Sequence, residues 1–228
     1  MSTIADNIER VGSRIRAAAL AAHRDENSVQ LLAVSKTKPA QALREAYAAG
    51  LRDFGENYLQ EALSKQAELT DLPLIWHFIG PIQSNKTRAI AEHFAWVHSV
   101  DRLKIAQRLS EQRPADLPPL NICIQVNVSG EASKSGCTPQ DLPALANAIS
   151  ALPRLKLRGL MAIPEPTEDR AAQDAAFAAV QSLQASLNLP LDTLSMGMSH
   201  DLESAIAQGA TWVRVGTALF GARDYGQP

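Results

Sequence analysis

The residue of this chain best placed to do chemistry is a lysine. In Leu31-Leu32-Ala33-Val34-Ser35-Lys36-Thr37-Lys38-Pro39 an apolar strand runs out, and Lys36 stands at its carboxyl end. Two glycine-bearing turns lie near the other end of the sequence, Ser195-Met196-Gly197-Met198-Ser199 and Val213-Arg214-Val215-Gly216-Thr217. Glycine lets backbone approach a ligand closely, and a following helix offers N–H groups and the positive end of its dipole. Ser199 and Thr217 add hydroxyl donors. Taken singly, each feature has a plain reading: a solvated lysine, a serine capping a helix near His200, a glycine in a tight turn. Together they set a potential Schiff-base amine opposite a phosphate cradle, which points to pyridoxal 5′-phosphate. Lys38, further into its loop, is the second candidate for the amine.

The elements must bring these distant segments together. Ile4, Ile8, Val11 and Ile15 recur at helical spacing, so the chain opens with an amphipathic helix. Eight apolar runs then predict strands over 31–35, 52–55, 76–80, 96–99, 121–127, 157–163, 193–196 and 212–216. Helical patterns lie between them. Pro39 opens one helix, Asp101 caps another, Thr138-Pro139-Gln140-Asp141 reads as a capping box, and Thr167 opens a long Ala-rich helix. Strands alternating with helices imply parallel pairing, and the expectation is an α/β fold: a single (β/α)8 TIM barrel with an extra N-terminal helix, one domain over 1–228. A doubly wound sheet would want a Gly-rich turn where this chain has Ser35-Lys36-Thr37-Lys38-Pro39.

In such a barrel, alternation puts Leu32, Val34 and Lys36 on the inner face, where a lysine at the mouth loses some of its hydration and with it some of its basicity. Trp212, Arg214 and Gly216 share the inner face of the last strand, and Val213 and Val215 suit the helix layer. An inward Arg214 either pairs with an internal carboxylate or donates to the nitrogen of a bound pyridine ring, keeping that nitrogen unprotonated.

Composition excludes several classes. With 22 basic against 24 acidic residues and no basic block, a nucleic-acid footprint is not expected. Two cysteines, Cys123 and Cys137, make no disulfide framework, and the start reads as lacking a signal peptide. No apolar run reaches the roughly 20 residues that span a bilayer. A cytoplasmic, soluble protein is expected. No cluster has metal-ligand spacing, so no metal is expected. Ser199-His200-Asp201 holds triad residue types, but immediate neighbours cannot form the relay. His77 is either a pocket residue or a satisfied core histidine, and Asn57 either reaches a ligand oxygen or caps a helix.

The ordered set of segments is similar to the YggS/PROSC family, the pyridoxal phosphate homeostasis proteins related to the barrel domain of alanine racemase. It comprises the Lys36 segment, Phe54-Gly55-Glu56-Asn57-Tyr58, Trp76-His77-Phe78-Ile79-Gly80-Pro81-Ile82-Gln83-Ser84-Asn85-Lys86, and His98-Ser99-Val100-Asp101-Arg102. Gln125-Val126-Asn127-Val128, Ser133-Lys134-Ser135-Gly136, Arg158-Gly159-Leu160-Met161-Ala162-Ile163-Pro164 and the two glycine turns, the second running on to Arg223, complete it. The resemblance implies a Schiff base of pyridoxal 5′-phosphate on Lys36, phosphate contacts from Ser199, Gly216 and Thr217, and Arg214 at the pyridine nitrogen. Asn57 is carried over as a further cofactor contact.

The function expected from these residues is pyridoxal 5′-phosphate binding in vitamin B6 homeostasis, buffering or delivering the cofactor to apoenzymes, by a monomer without strong catalytic activity. The alternative is a pyridoxal-phosphate-dependent amino-acid racemase. That reaction needs an acid–base group on each face of the substrate Cα. In the related racemase a tyrosine from a second domain serves one face, and here that domain is not expected. Of Tyr47, Tyr58 and Tyr225, Tyr58 alone is placed near the predicted pocket. A cofactor-free Schiff-base aldolase is a third class, disfavoured by the full motif set. Whether Lys134 also holds the cofactor transiently is left open by the residues.

Overall fold

Short runs of branched and aromatic residues make the strands, and alternate side chains along them go to two destinations. A computed structural model describes residues 1–132 and 134–222; Ser133, Arg223 and Tyr225 therefore lie outside the described residues. The chain opens with α1 (Ile4–Ala21) and then alternates: β1 (Gln30–Val34), α2 (Ala40–Ala48), β2 (Asp53–Glu56), α3 (Leu59–Glu68), β3 (Ile75–Phe78), α4 (Thr87–His93), β4 (Trp96–Val100) and α5 (Leu103–Gln112). It continues through β5 (Leu120–Gln125), α6 (Leu142–Ser150), β6 (Leu155–Met161), α7 (Arg170–Ser186), β7 (Thr193–Ser195), α8 (Leu202–Ala207), β8 (Trp212–Val215) and α9 (Thr217–Phe220).

All strands pair in parallel in the order β1 to β8, and β8 closes on β1 with Leu32 opposite Arg214 and Ala33 opposite Val215. This is the expected (β/α)8 barrel with its extra helix. Alternation sorts the core into two compartments. Leu32, Ile79 and Trp212, and likewise Trp96, Cys123 and Met161, pack inside the barrel. Ala33, Phe54, Val97, Ile122, Leu160, Val213 and Val215 join the helices in the outer core.

Local signals behaved unevenly. Thr3 and Asp6 close a capping box on α1 that the periodicity did not flag. The helix assigned to Asp101 is preceded instead by Arg102, and α7 is capped by Asp169, whose own N–H bonds the Thr167 hydroxyl. Thr138 does bond the Asp141 N–H, but that closes a turn and α6 starts after it. Thr167 and Thr138 each satisfied a neighbouring turn rather than the first helical N–H groups.

Gly159 is fixed by close approach: a Cβ there would sit 1.7 Å from the Thr193 carbonyl oxygen of the paired strand. Gly159→Ala is expected to lower the unfolding free energy by about 3 kcal/mol or more, because the obstacle is backbone. In Gly12→Ala the added carbon meets the mobile end of Arg16 at 3.2 Å. That variant should gain up to about 1 kcal/mol by stiffening α1. Urea unfolding of both variants checks the opposite signs.

Candidate functional site

Lys36 lies just past the end of β1, and a buried polar group fixes the backbone on either side of it. Ser35 points away from the mouth and donates through Oγ to Glu56 Oε1 at 2.8 Å. Lys65, from α3, donates to the Ser35 carbonyl at 2.7 Å and pairs with Glu56 and Glu61, each at 2.7 Å. Glu61 Oε1 also accepts the Thr37 N–H at 2.6 Å. Thr37 has φ of 66°, unusual for a β-branched residue, and such strain persists only where neighbours over-determine it. Burial pushes the Glu56 carboxyl above its ordinary range, against the pull of Lys65.

The two glycine turns meet this loop from the other side of the closure. Gly197 has φ of 99°, and a Cβ on it would come within 2.6 Å of the Ala205 side chain in α8. Its carbonyl accepts the Arg214 N–H at 2.9 Å, tying the two turns together. Helix α1 buttresses both turns. Arg14 pairs with Glu203 at 2.8 Å and donates to the Ser199 carbonyl at 2.9 Å, while Asn7 donates to the Leu219 carbonyl at 2.8 Å. Asp201, and not Ser199, precedes α8, and its Oδ1 accepts the Met198 N–H at 2.7 Å. Among the described residues the Ser199 and Thr217 hydroxyls have no hydrogen-bond partner. The helices after the turns span 6 and 4 residues, too short for much dipole, so hydroxyls and backbone N–H groups are the donors that count.

Lys36, Lys38, Ser199, Arg214, Gly216 and Thr217 line one cleft of about 640 Å³, with Val34, Met198, His200 and Gly221 completing its wall. Five of the six predicted site residues thus converge. Asn57 does not line this cleft; it precedes α3, does not cap it, and its Oδ1 is buried with no hydrogen-bond partner. Lys38 donates through Nζ to the Ala222 carbonyl at 2.6 Å. Lysines, arginine, uncommitted hydroxyls and a glycine backbone form a donor set that fits a phosphate-bearing carbonyl compound. A Cβ on Gly216 would sit 3.3 Å from the Val34 carbonyl oxygen and narrow the cleft between β8 and β1.

Arg214 enters the barrel as expected. Nη1 donates to Ser195 Oγ at 2.8 Å and Nη2 to the Ala162 carbonyl at 3.0 Å. No internal carboxylate pairs with it among the described residues. Burial lowers it to about 10, so it stays charged at neutral pH. His77 is a core histidine, not a cleft residue. Its Nε2 meets Asp53 Oδ1 at 2.8 Å and its Nδ1 meets His98 Nε2 at 2.9 Å, and His98 Nδ1 meets Ser195 Oγ at 2.8 Å. Burial lowers both histidines, His98 well below its ordinary value, so both rings are neutral. The thiols of Cys123 and Cys137 are pushed up to about 12 and about 11 by burial, which leaves them protonated and unreactive.

Sequence reasoning missed Lys65, Glu61, Asp53 and His98 as parts of this apparatus. Glu61 and Lys65 carried a readable signal, an acidic and a basic residue four apart on α3. Among the described residues no group of three or more His, Cys, Asp or Glu side chains could hold a metal ion, and no helix is long and apolar enough to cross a membrane.

The family model described as alanine racemase, N-terminal domain, matches residues 3–224. A Pseudomonas aeruginosa protein named pyridoxal phosphate homeostasis protein is 79% identical over 228 residues, covering 100% of this chain and 99% of its own. An Escherichia coli protein of the same name is 54% identical over 231 residues, covering 99% of each chain. The structure of PipY from Synechococcus elongatus with PLP bound superposes with a TM-score of 0.85 at 45% identity, over 96% of this chain and 100% of PipY.

Two expectations follow from the buried groups. Lys65→Met strands Glu56 without its counter-charge and should cost about 3–5 kcal/mol in urea unfolding, most of it restored by adding Glu56→Leu. The second concerns acid. A base lowered by folding binds fewer protons folded than unfolded, so its contribution is whole above the ordinary value of 6.5 and is lost as pH falls below it. Between pH 6.5 and 5.5 the parent should lose up to about 1.4 kcal/mol per pH unit for each ring. His98→Gln should show one proton less of that slope, and unfolding curves at three pH values measure the difference.

Proposed function

The chain belongs to the alanine racemase N-terminal domain family, among the pyridoxal phosphate homeostasis proteins, and from that membership we propose that it binds pyridoxal 5′-phosphate on Lys36 and buffers or delivers it in vitamin B6 homeostasis. The observation that carries this reading is the convergence of Lys36, Ser199, Arg214, Gly216 and Thr217 in one cleft at the barrel mouth. We further propose that residues 1–228 act as one cofactor-binding domain, in a monomer of the cytoplasm, with apoenzymes as recipients. PipY, at 45% identity, carries PLP in its structure, which supports the cofactor assignment.

When bound, the cofactor supplies an aldehyde that condenses reversibly with an amine and a pyridine ring whose electron demand rises when its nitrogen is protonated. Lys36 presents the amine. Ser199 and Thr217 offer hydroxyl donors and Gly216 an unobstructed backbone to the phosphate, within a cleft whose charged walls are cationic. Arg214, charged at neutral pH and held by Ser195 and the Ala162 carbonyl, would donate to the ring nitrogen of the bound cofactor and so keep it unprotonated. That choice favours holding over electron withdrawal.

A racemase would need a second base across the cleft from Lys36. Tyr58 is exposed and does not line the cleft, and Lys38 is engaged with the Ala222 carbonyl. Binding without strong turnover is the reading these residues support.

Titration with pyridoxal 5′-phosphate tests it. The parent should develop a visible band that borohydride abolishes, with the label recovered on the peptide that contains Lys36. Lys36→Ala should lose the band entirely, and Thr217→Val should weaken binding about tenfold, the worth of one charge-assisted hydrogen bond. A parent that stays colourless at saturating cofactor, or a Lys36→Ala variant with an unchanged band, overturns the assignment.

A further inference from the structure

The barrel interior carries an unbroken hydrogen-bonded series from its closed end to its mouth. It runs Asp53, His77, His98, Ser195, Arg214, with links of 2.8, 2.9, 2.8 and 2.8 Å, and draws on five different strands. Chemistry fixes its direction. A carboxylate only accepts, so His77 must carry its proton on Nε2. A neutral ring then accepts at Nδ1, so His98 must donate from Nε2 and accept at Nδ1. The Ser195 hydroxyl therefore donates to His98, which leaves its lone pairs for the Arg214 guanidinium. An arginine only donates, and the Ser195 lone pairs accept from it, so the cation at the mouth fits the order that the anion at the closed end sets. With the ring protons shifted the other way, His77 Nε2 would face Asp53 Oδ1 lone pair to lone pair, and the Ser195 proton would lose its acceptor on His98.

The walls keep the series dry. His77 stacks on Trp96 at 5.4 Å and 12° and meets the edge of Trp212 at 5.0 Å. Arg158 also lies at this end, 4.7 Å over Trp96, and is paired with Asp192 at 2.9 Å. Asp53 is partly open to solvent, with its side chain 22% exposed, whereas His77 is fully enclosed.

We propose that Asp53 is a positioning residue for Arg214: acting through His77, His98 and Ser195, it fixes one set of ring tautomers and so holds the guanidinium in the orientation that meets the cofactor's ring nitrogen. The last clause rests on the pyridoxal 5′-phosphate reading. The tautomer order does not.

The test is 15N NMR of the histidine rings and of the arginine side chains, in protein without added ligand. Both buried rings should show a pyrrole-type Nε2 and a pyridine-type Nδ1. Asp53→Leu should populate the opposite tautomer of His98 and shift the Arg214 signal, and Asp53→Asn, whose carbonyl still accepts, should restore both. Ser195→Ala, at the far end of the series, should move the Arg214 signal and leave His77 as it is. On adding pyridoxal 5′-phosphate, Asp53→Leu should shift the visible band and its pH titration, and Asp53→Asn should match the parent. Unchanged rings and Arg214 signal in Asp53→Leu, or an unchanged Arg214 signal in Ser195→Ala, overturn the proposal. A parent without any band overturns the cofactor reading, and the histidine spectra then decide the tautomer order independently.

Discussion

Everything at the mouth depends on the pairing of the last strand with the first. Closure of β8 on β1 sets Leu32 against Arg214 and Ala33 against Val215, so segments some 180 residues apart in the chain become neighbours. A parallel pair has no hairpin to fix its register, so side-chain sorting must do it. Here the sorting is steep. Val213 and Val215 go to the helix layer, Trp212 and Arg214 go inside, and a one-residue slip would drive the guanidinium into the outer apolar core.

The Lys36 loop and the two glycine turns are each held from behind by different means. The loop rests on a buried ionic group made of Glu56, Glu61 and Lys65, and the turns rest on α1 through Arg14 and Asn7. A buried ion pair adds little net stability, because desolvation offsets most of the attraction. Its value here is geometric: Lys65 and Glu61 bind the backbone at Ser35 and Thr37, the two neighbours of Lys36. The helix that precedes the barrel proper has a comparable job, since its polar contacts land on Ser199, on Glu203 of α8 and on the end of α9.

Much of this was readable from the chain. Short apolar runs located each strand to within about two residues, because strands covered on both faces, by the inner layer and by the helices, are apolar throughout. The inward turn of Arg214 followed from its place between Val213 and Val215. Cap assignments were less secure, since Thr167 and Thr138 can satisfy a turn as easily as a helix start. Asn57 showed the limit more sharply. Its position at the end of β2 was correct, but which way a loop side chain turns depends on neighbours that no local pattern reports. The interior series was invisible for the same reason: Asp53, His77, His98 and Ser195 are unremarkable singly, and barrel closure alone puts them in file.

Strand β2 is where the two supporting systems meet. Its four residues alternate, so Asp53 faces the barrel interior and Glu56 faces α3. One short strand thus anchors the polar series that ends at Arg214 and the ionic group that grips the Lys36 loop. Gly55 lies between them, and a Cβ there would press on Ile79 and Leu32 at 3.0 and 3.2 Å. The absence of a side chain lets β2 seat closely against the inner layer. A shift of β2 would then move the supports of the amine and of the guanidinium together, so the spacing between the two is set by one element and not by the sum of two independent loops.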